Sequence, residues 1–143
     1  MLETLQKIES FIQKHHILSL STSDGERLST CTLFYTYLAK EQAFLFASDT
    51  KTEHAQDLLK NQKVAGTIAL ETKVVGKIQG LQFRGEARLL EEKELSKEYF
   101  KAFPYALAMQ PTLWTLKVDS FKFTDNTLGF GKKLLWQRKV EDV

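Results

Sequence analysis

Residues 48–53 read Ser-Asp-Thr-Lys-Thr-Glu, and residue types in this order can hold an anion. The hydroxyls of Ser48, Thr50 and Thr52 and the ammonium of Lys51 stand close together in the chain. Thr50 followed by Glu53 is a capping-box pattern, which predicts a helix running through Leu58, Leu59 and Lys60 and closed by Asn61-Gln62. The first amides of a helix lack intrahelical acceptors, and the helix dipole favours negative charge beside them. Amides, hydroxyls and an ammonium at one helix start are the donors a phosphate needs. The plainer account makes Thr50 a cap and Lys51 a solvated side chain. Glu53, in the same first turn, opposes an anion unless it points away. Lys51 is the nearest cation in sequence; Lys63, Lys73 and Arg84 have no place that sequence can assign.

A second candidate lies upstream, in a run at 27–38 rich in β-branched and aromatic residues. Alternation puts Leu28, Thr30, Thr32, Phe34 and Thr36 on one face and Ser29, Cys31, Leu33, Tyr35 and Tyr37 on the other. Neither face is wholly polar, so both are expected to touch protein or ligand, with packing the simpler role for any single side chain. His15, His16 and His54 lack metal-ligand spacing, so no metal site is expected. His54, three residues after Lys51, shares its helical face and could reach a ligand there, with a solvated or capping role the simpler account. Nothing near Cys31 marks a lowered thiol pKa. Gly129-Phe130-Gly131-Lys132-Lys133 lacks the spacing and hydroxyl of a phosphate loop and reads as a turn.

The elements that must position these residues follow from periodicity. Leu2, Leu5, Ile8, Phe11 and Ile12 make one stripe of an amphipathic helix ending near His15-His16. Strands are expected at 17–22, 27–38, 43–48, 64–70, about 74–90, 113–123 and 133–138, with Asp24-Gly25 and Lys40-Glu41-Gln42 as turns. Gly76, Gly80 and Gly85 mark bends in the long strand. A helix is expected over 91–103 and stopped by Pro104. Mostly hairpin connections and no regular βαβ alternation indicate an α+β antiparallel barrel of about six strands, not a Rossmann-type fold.

Whole-chain properties narrow the classes. The 143 residues fit one domain over 1–143, and 43% apolar with 27% charged residues is ordinary for a globular chain. A net charge of +2 carries no nucleic-acid footprint. The single cysteine excludes an internal disulfide. No apolar run is long enough to span a membrane, and acidic Glu3 and Glu9 do not fit a signal peptide. The expected location is cytoplasmic.

Three segments carry a family resemblance: Lys51-Thr52-Glu53-His54-Ala55-Gln56, Gly80-Leu81-Gln82-Phe83-Arg84-Gly85-Glu86, and Lys122-Phe123-Thr124-Asp125-Asn126-Thr127-Leu128-Gly129-Phe130-Gly131-Lys132-Lys133. With the order of elements, they resemble the YhbP-like bacterial family within the pyridoxamine 5'-phosphate oxidase-like FMN-binding split barrels. The resemblance spans nearly the whole chain. It implies a six-stranded split barrel with flanking helices, a homodimer, and FMN in a groove between subunits. It also implies a flavin phosphate at Ser48, Thr50, Lys51 and Thr52, and a ring along the second strand at Thr30, Thr32 and Phe34. Gln82 and aromatic groups would stand near the flavin, although Trp114, alternating with Leu116 and Val118, reads more simply as core packing, and Trp136 as packing at the dimer interface or the barrel end. The function it implies is a flavin-dependent oxidoreductase of unnamed substrate. Two alternatives stay open: a non-catalytic flavin or haem binder, and an interaction module with an empty groove. A true pyridoxamine phosphate oxidase is disfavoured, because Arg138 is the only arginine after Arg88.

Overall fold

A computed structural model describes residues 2–140. The chain opens with α1 (Leu2–Lys14), which buries Ile8, Phe11 and Ile12. The other helices are α2 (Glu53–Lys60) and α3 (Ser96–Ala102). The strands are β1 (Ile17–Ser23), β2 (Leu28–Phe34), β3 (Thr36–Leu38), β4 (Ala43–Ala47), β5 (Lys63–Ala69), β6 (Gln79–Leu89), β7 (Leu113–Asp125) and β8 (Lys133–Gln137). All pairings are antiparallel, in the order β2-β1-β5-β6-β7-β4-β3, with β8 also on β7. The α+β antiparallel class expected from sequence is present, with eight strands among the described residues rather than six.

The sheet curls around its own core. Leu18 and Leu20 of β1, near one end of the strand order, share a buried cluster with Phe44 and Phe46 of β4, near the other. Phe44 sits at its centre, with ring centroids 5.1 Å from Tyr35, 5.2 Å from Tyr37 and 5.0 Å from Phe83. Such tilted and edge-on contacts are the favoured aromatic geometries. α1 lies on this core through Phe11, whose ring is 4.8 Å from that of Phe123.

The expected second strand, 27–38, breaks at Tyr35. There the Tyr35 amide donates to the His16 carbonyl at 3.0 Å and its hydroxyl to the Ile12 carbonyl at 2.6 Å. The residue turns inward to meet α1, and the strand divides into β2, paired to β1, and β3, paired to β4. The expected long strand begins only at Gln79, because Val75–Lys77 forms a 3-10 turn. Its bend is at Arg84/Gly85, where the register on β7 slips past Asp119. A Cβ on Gly85 would fall on the Lys117 carbonyl oxygen, so the close approach of β6 to β7 requires glycine there. The expected helix over 91–103 contracts to α3, preceded by a 3-10 turn at Lys93–Leu95.

Candidate functional site

The turn from β4 into α2 is built around Ser48. Its amide donates to the Thr112 carbonyl at 2.9 Å, and its own carbonyl accepts from the buried Trp114 indole at 2.9 Å. Trp114 is therefore a core clamp, stacked parallel to Phe46 at 6.3 Å, and not a ligand-facing ring. Asp49 then makes an Asx turn, its Oδ1 accepting from the Lys51 amide at 2.8 Å while its carbonyl accepts from the Thr52 amide at 3.0 Å.

Thr52, and not Thr50, is the N-cap. Its Oγ1 accepts from the Ala55 amide, and the helix begins at Glu53. The Thr50–Glu53 capping box is thus not formed. Thr50 instead lends its carbonyl to Gln56 Nε2, at 2.5 Å. Glu53 points to the β1–β2 hairpin, where its Oε1 accepts from Ser29 Oγ at 2.7 Å and lies 3.9 Å from Arg27 Nε. The charge that would repel an anion is drawn to that guanidinium. Lys51 remains exposed.

His54 enters this cluster, and sequence reading undervalued it. Its Nε2 meets Ser48 Oγ and stands 3.3 Å from Thr52 Oγ1. Burial pushes the imidazole pKa down, against the pull of Asp57 and Glu53. The helix itself is anchored by buried Asp57, whose Oδ2 accepts from Thr22 Oγ1 at 2.9 Å and whose Oδ1 faces Arg27 at 3.6 Å. One hydroxyl-rich turn therefore gathers the buried Ser48 with Thr52 and His54 beneath the exposed Lys51, the Thr52 hydroxyl donating to the Asp49 carbonyl at 2.8 Å, at a helix start whose first amides lack intrahelical acceptors.

The Ser29–Glu53 bond ties this turn to β2. Along β2, Thr30, Thr32 and Phe34 occupy the exposed face, while Cys31 and Leu33 pack on the core. Burial pushes the Cys31 thiol up, away from the thiolate form. Thr32 begins a cross-strand row on the outer face, running Thr32, Ser19, Thr67, Gln82, Lys122, Leu135 through strands β2, β1, β5, β6, β7 and β8. An open groove of about 1320 Å³ contains Ser19, Thr67, Gln82 and Lys122 from that row. Strand spacing puts Gln82 roughly 14 Å from Thr32. Gln82 lines this groove and is not among the hydrogen-bonded partners of the Ser48–Thr52 turn. Among the described residues no group of three His, Cys, Asp or Glu side chains could hold a metal ion, and no helix is long and apolar enough to cross a membrane.

The sequence of residues 4–119 matches the family model described as pyridoxamine 5'-phosphate oxidase. The chain belongs to that family. Within it, the chain is 42% identical over 140 residues to a UPF0306 protein of Cronobacter sakazakii, covering 96% of this chain and 97% of the relative. The UPF0306 protein YhbP of Escherichia coli O127:H6 is 39% identical over 140 residues, covering 96% and 100%. The YhbP-like resemblance read from the three segments is thereby shown. Among solved structures, the fold is similar to a heme binding protein from Mycobacterium smegmatis, with a TM-score of 0.76 at 15% identity over 94% of this chain and 57% of that one. It is also similar to a FAD-binding protein from Mesorhizobium loti, with a TM-score of 0.70 at 8% identity over 82% and 90%. A third is the putative pyridoxamine 5'-phosphate oxidase from Listeria innocua, with a TM-score of 0.67 at 14% identity over 85% and 96%. These likenesses are of fold: a curled antiparallel sheet with flanking helices.

Proposed function

We propose that the protein binds FMN and acts as a flavin-dependent oxidoreductase in the form of a homodimer. The observation that carries this reading is the Ser48–His54 turn in a chain of the pyridoxamine 5'-phosphate oxidase family. The donor set there suits a phosphate monoester. Lys51 supplies charge, Thr50 a hydroxyl at the rim and the start of α2 amides, while Ser48 and Thr52, whose hydroxyls are held by His54 and by the Asp49 carbonyl, shape the turn beneath the anion. Glu53, held by Ser29 and Arg27, leaves that position to the anion.

Bound FMN would supply hydride or electron transfer, and the chain would supply anchoring and orientation. Thr30, Thr32 and Phe34 offer an exposed strand face beside the phosphate turn on which a flat ring can lie. The roughly 14 Å between Thr32 and Gln82 suits a Gln82 that reaches the flavin of a second copy. Exposed apolar side chains at Leu28, Phe34 and Leu135 are the surface that such pairing would cover.

Haem is the competing ligand in this fold, as the mycobacterial neighbour illustrates. His54, the imidazole at the proposed phosphate turn, is engaged by the Ser48 and Thr52 hydroxyls, which favours flavin over a role in ligating iron. The test is titration of the purified protein with FMN, followed by flavin fluorescence, with light scattering for mass. Saturable quenching and a dimeric mass are expected. Absence of quenching would refute the flavin reading, and a monomeric mass would refute the paired arrangement.

A further inference from the structure

Glu53 stands where an anion would go. It is the first residue of α2, directly after the Thr52 cap, with Lys51 just before the cap. The helix dipole favours a carboxylate at that position, and so does a neighbouring ammonium. Left to itself, Glu53 would therefore take up the field of α2 and Lys51, the two things a phosphate needs there. The structure holds it elsewhere. Its Oε1 accepts from Ser29 Oγ at 2.7 Å and lies 3.9 Å from Arg27 Nε, both supplied by the β1–β2 hairpin. Among the described residues Lys51 takes part in no ion pair.

Both sides of this contact are fixed by the fold. On the hairpin, Asp24 Oδ1 accepts from the Glu26 and Arg27 amides at 2.9 and 2.7 Å, and Gly25 takes the turn's left-handed position at φ 107°. On the helix, buried Asp57 pins α2 to β1 through Thr22 Oγ1 at 2.9 Å. Arg27 is shared: Nε lies near Glu53, and Nη2 is 3.6 Å from Asp57 Oδ1 and 3.9 Å from Asp24 Oδ2. All three separations are longer than a hydrogen bond. The Arg27 and Glu53 side chains are 57% and 63% exposed, so their ion pair alone is a weak tether. The short, directional contact on Glu53 is the Ser29 hydroxyl.

We propose that Ser29, assisted by Arg27, is a positioning residue of the anion site. It holds Glu53 against the hairpin and so leaves Lys51 and the first α2 amides open to a phosphate. Ser29 acts through Glu53 and does not touch the ligand. The inference rests on the phosphate reading of the turn given above. It adds that the turn carries its own competing carboxylate, restrained by a residue 24 positions upstream.

The probes are FMN and riboflavin, which differ only in the phosphate, titrated by fluorescence at low salt. Ser29→Ala should weaken FMN binding about five- to fiftyfold, as a carboxylate returns to within a few ångströms of the anion, and should leave riboflavin unchanged. Glu53→Gln added to Ser29→Ala should restore FMN affinity at least to that of the unaltered protein. Raised salt should narrow the Ser29→Ala loss. Arg27→Gln should act in the same direction, but it also uncovers Asp57, so Ser29→Ala is the cleaner variant. Unchanged FMN affinity in Ser29→Ala, equal losses for FMN and riboflavin, or no rescue by Glu53→Gln would overturn the proposal and leave the flavin reading standing. If the unaltered protein binds neither flavin, the flavin reading falls, and inorganic phosphate followed through the Lys51 and Thr52 amide NMR signals takes the place of FMN. The same order of variants would then uphold the role of Ser29, and no response to phosphate would overturn it as well.

Discussion

Lys51→Ala tests the phosphate turn most cleanly, because the loop does not depend on the side chain it removes. The Lys51 amide is held by Asp49 Oδ1 at 2.8 Å, and the next amide by the Asp49 carbonyl at 3.0 Å, so the turn survives truncation. Lys51 is exposed, which places its attraction to a phosphate nearer the solvent limit than the buried one. Two unit charges at 4 Å are worth about 1 kcal/mol in water and about 4 kcal/mol near a protein surface. A charge-assisted hydrogen bond nets about 1.5–3 kcal/mol. The expected loss of FMN affinity is thus about 1–3 kcal/mol, or roughly 5- to 150-fold, since about 1.4 kcal/mol is tenfold. Fluorescence titration of both proteins at low salt and at about 1 M salt reads it, because the screening length falls from about 10 Å at 0.1 M to about 3 Å. The difference should shrink at high salt. Equal affinities at low salt would remove Lys51 from the site, and a salt-independent loss would show that the substitution acts through the fold.

Three further outcomes follow from the packing. Gly85→Ala should cost at least about 1–3 kcal/mol in a urea melt, since the new methyl meets the Lys117 carbonyl; an unchanged midpoint would contradict the close β6–β7 approach. Asp57→Ala should cost about 1–3 kcal/mol by leaving the buried Thr22 hydroxyl without its acceptor, and Thr22→Val in the same background should recover part of it. Burial holds the His54 and His15 imidazoles below their ordinary 6.5, with His16 and Lys14 adding to the effect on His15. The unfolded chain then takes up protons first, so stability is full above about 6.5 and falls as pH drops below it. Thermal melts between about pH 7.5 and 5 should slope downward, less steeply in His54→Gln, and an identical slope in that variant would exclude His54 as a source.

Elements that follow from local pattern were legible in the sequence. The apolar stripe of α1, the Asp24-Gly25 hairpin, the strand at 64–70 and the division of β2 residues between two faces all agree with the structure. Features set by distant partners were not. The break at Tyr35 depends on carbonyls of Ile12 and His16, and the bond from the Trp114 indole reaches the Ser48 carbonyl, 66 residues away. The cap moved from Thr50 to Thr52 because Asp49 takes the preceding turn. Glu53 was read as an obstacle, since nothing local announces that Ser29 and Arg27 receive it. His54 had a signal in its spacing from Lys51, but its contact with Ser48 needed the fold.

The central claim is that this chain holds FMN, and the visible spectrum of the purified protein, taken after adding FMN and removing the excess, tests it most directly. The account predicts a retained flavin band in near-stoichiometric amount, diminished in Lys51→Ala. A protein that keeps no flavin, or that shows a Soret band instead, would contradict it.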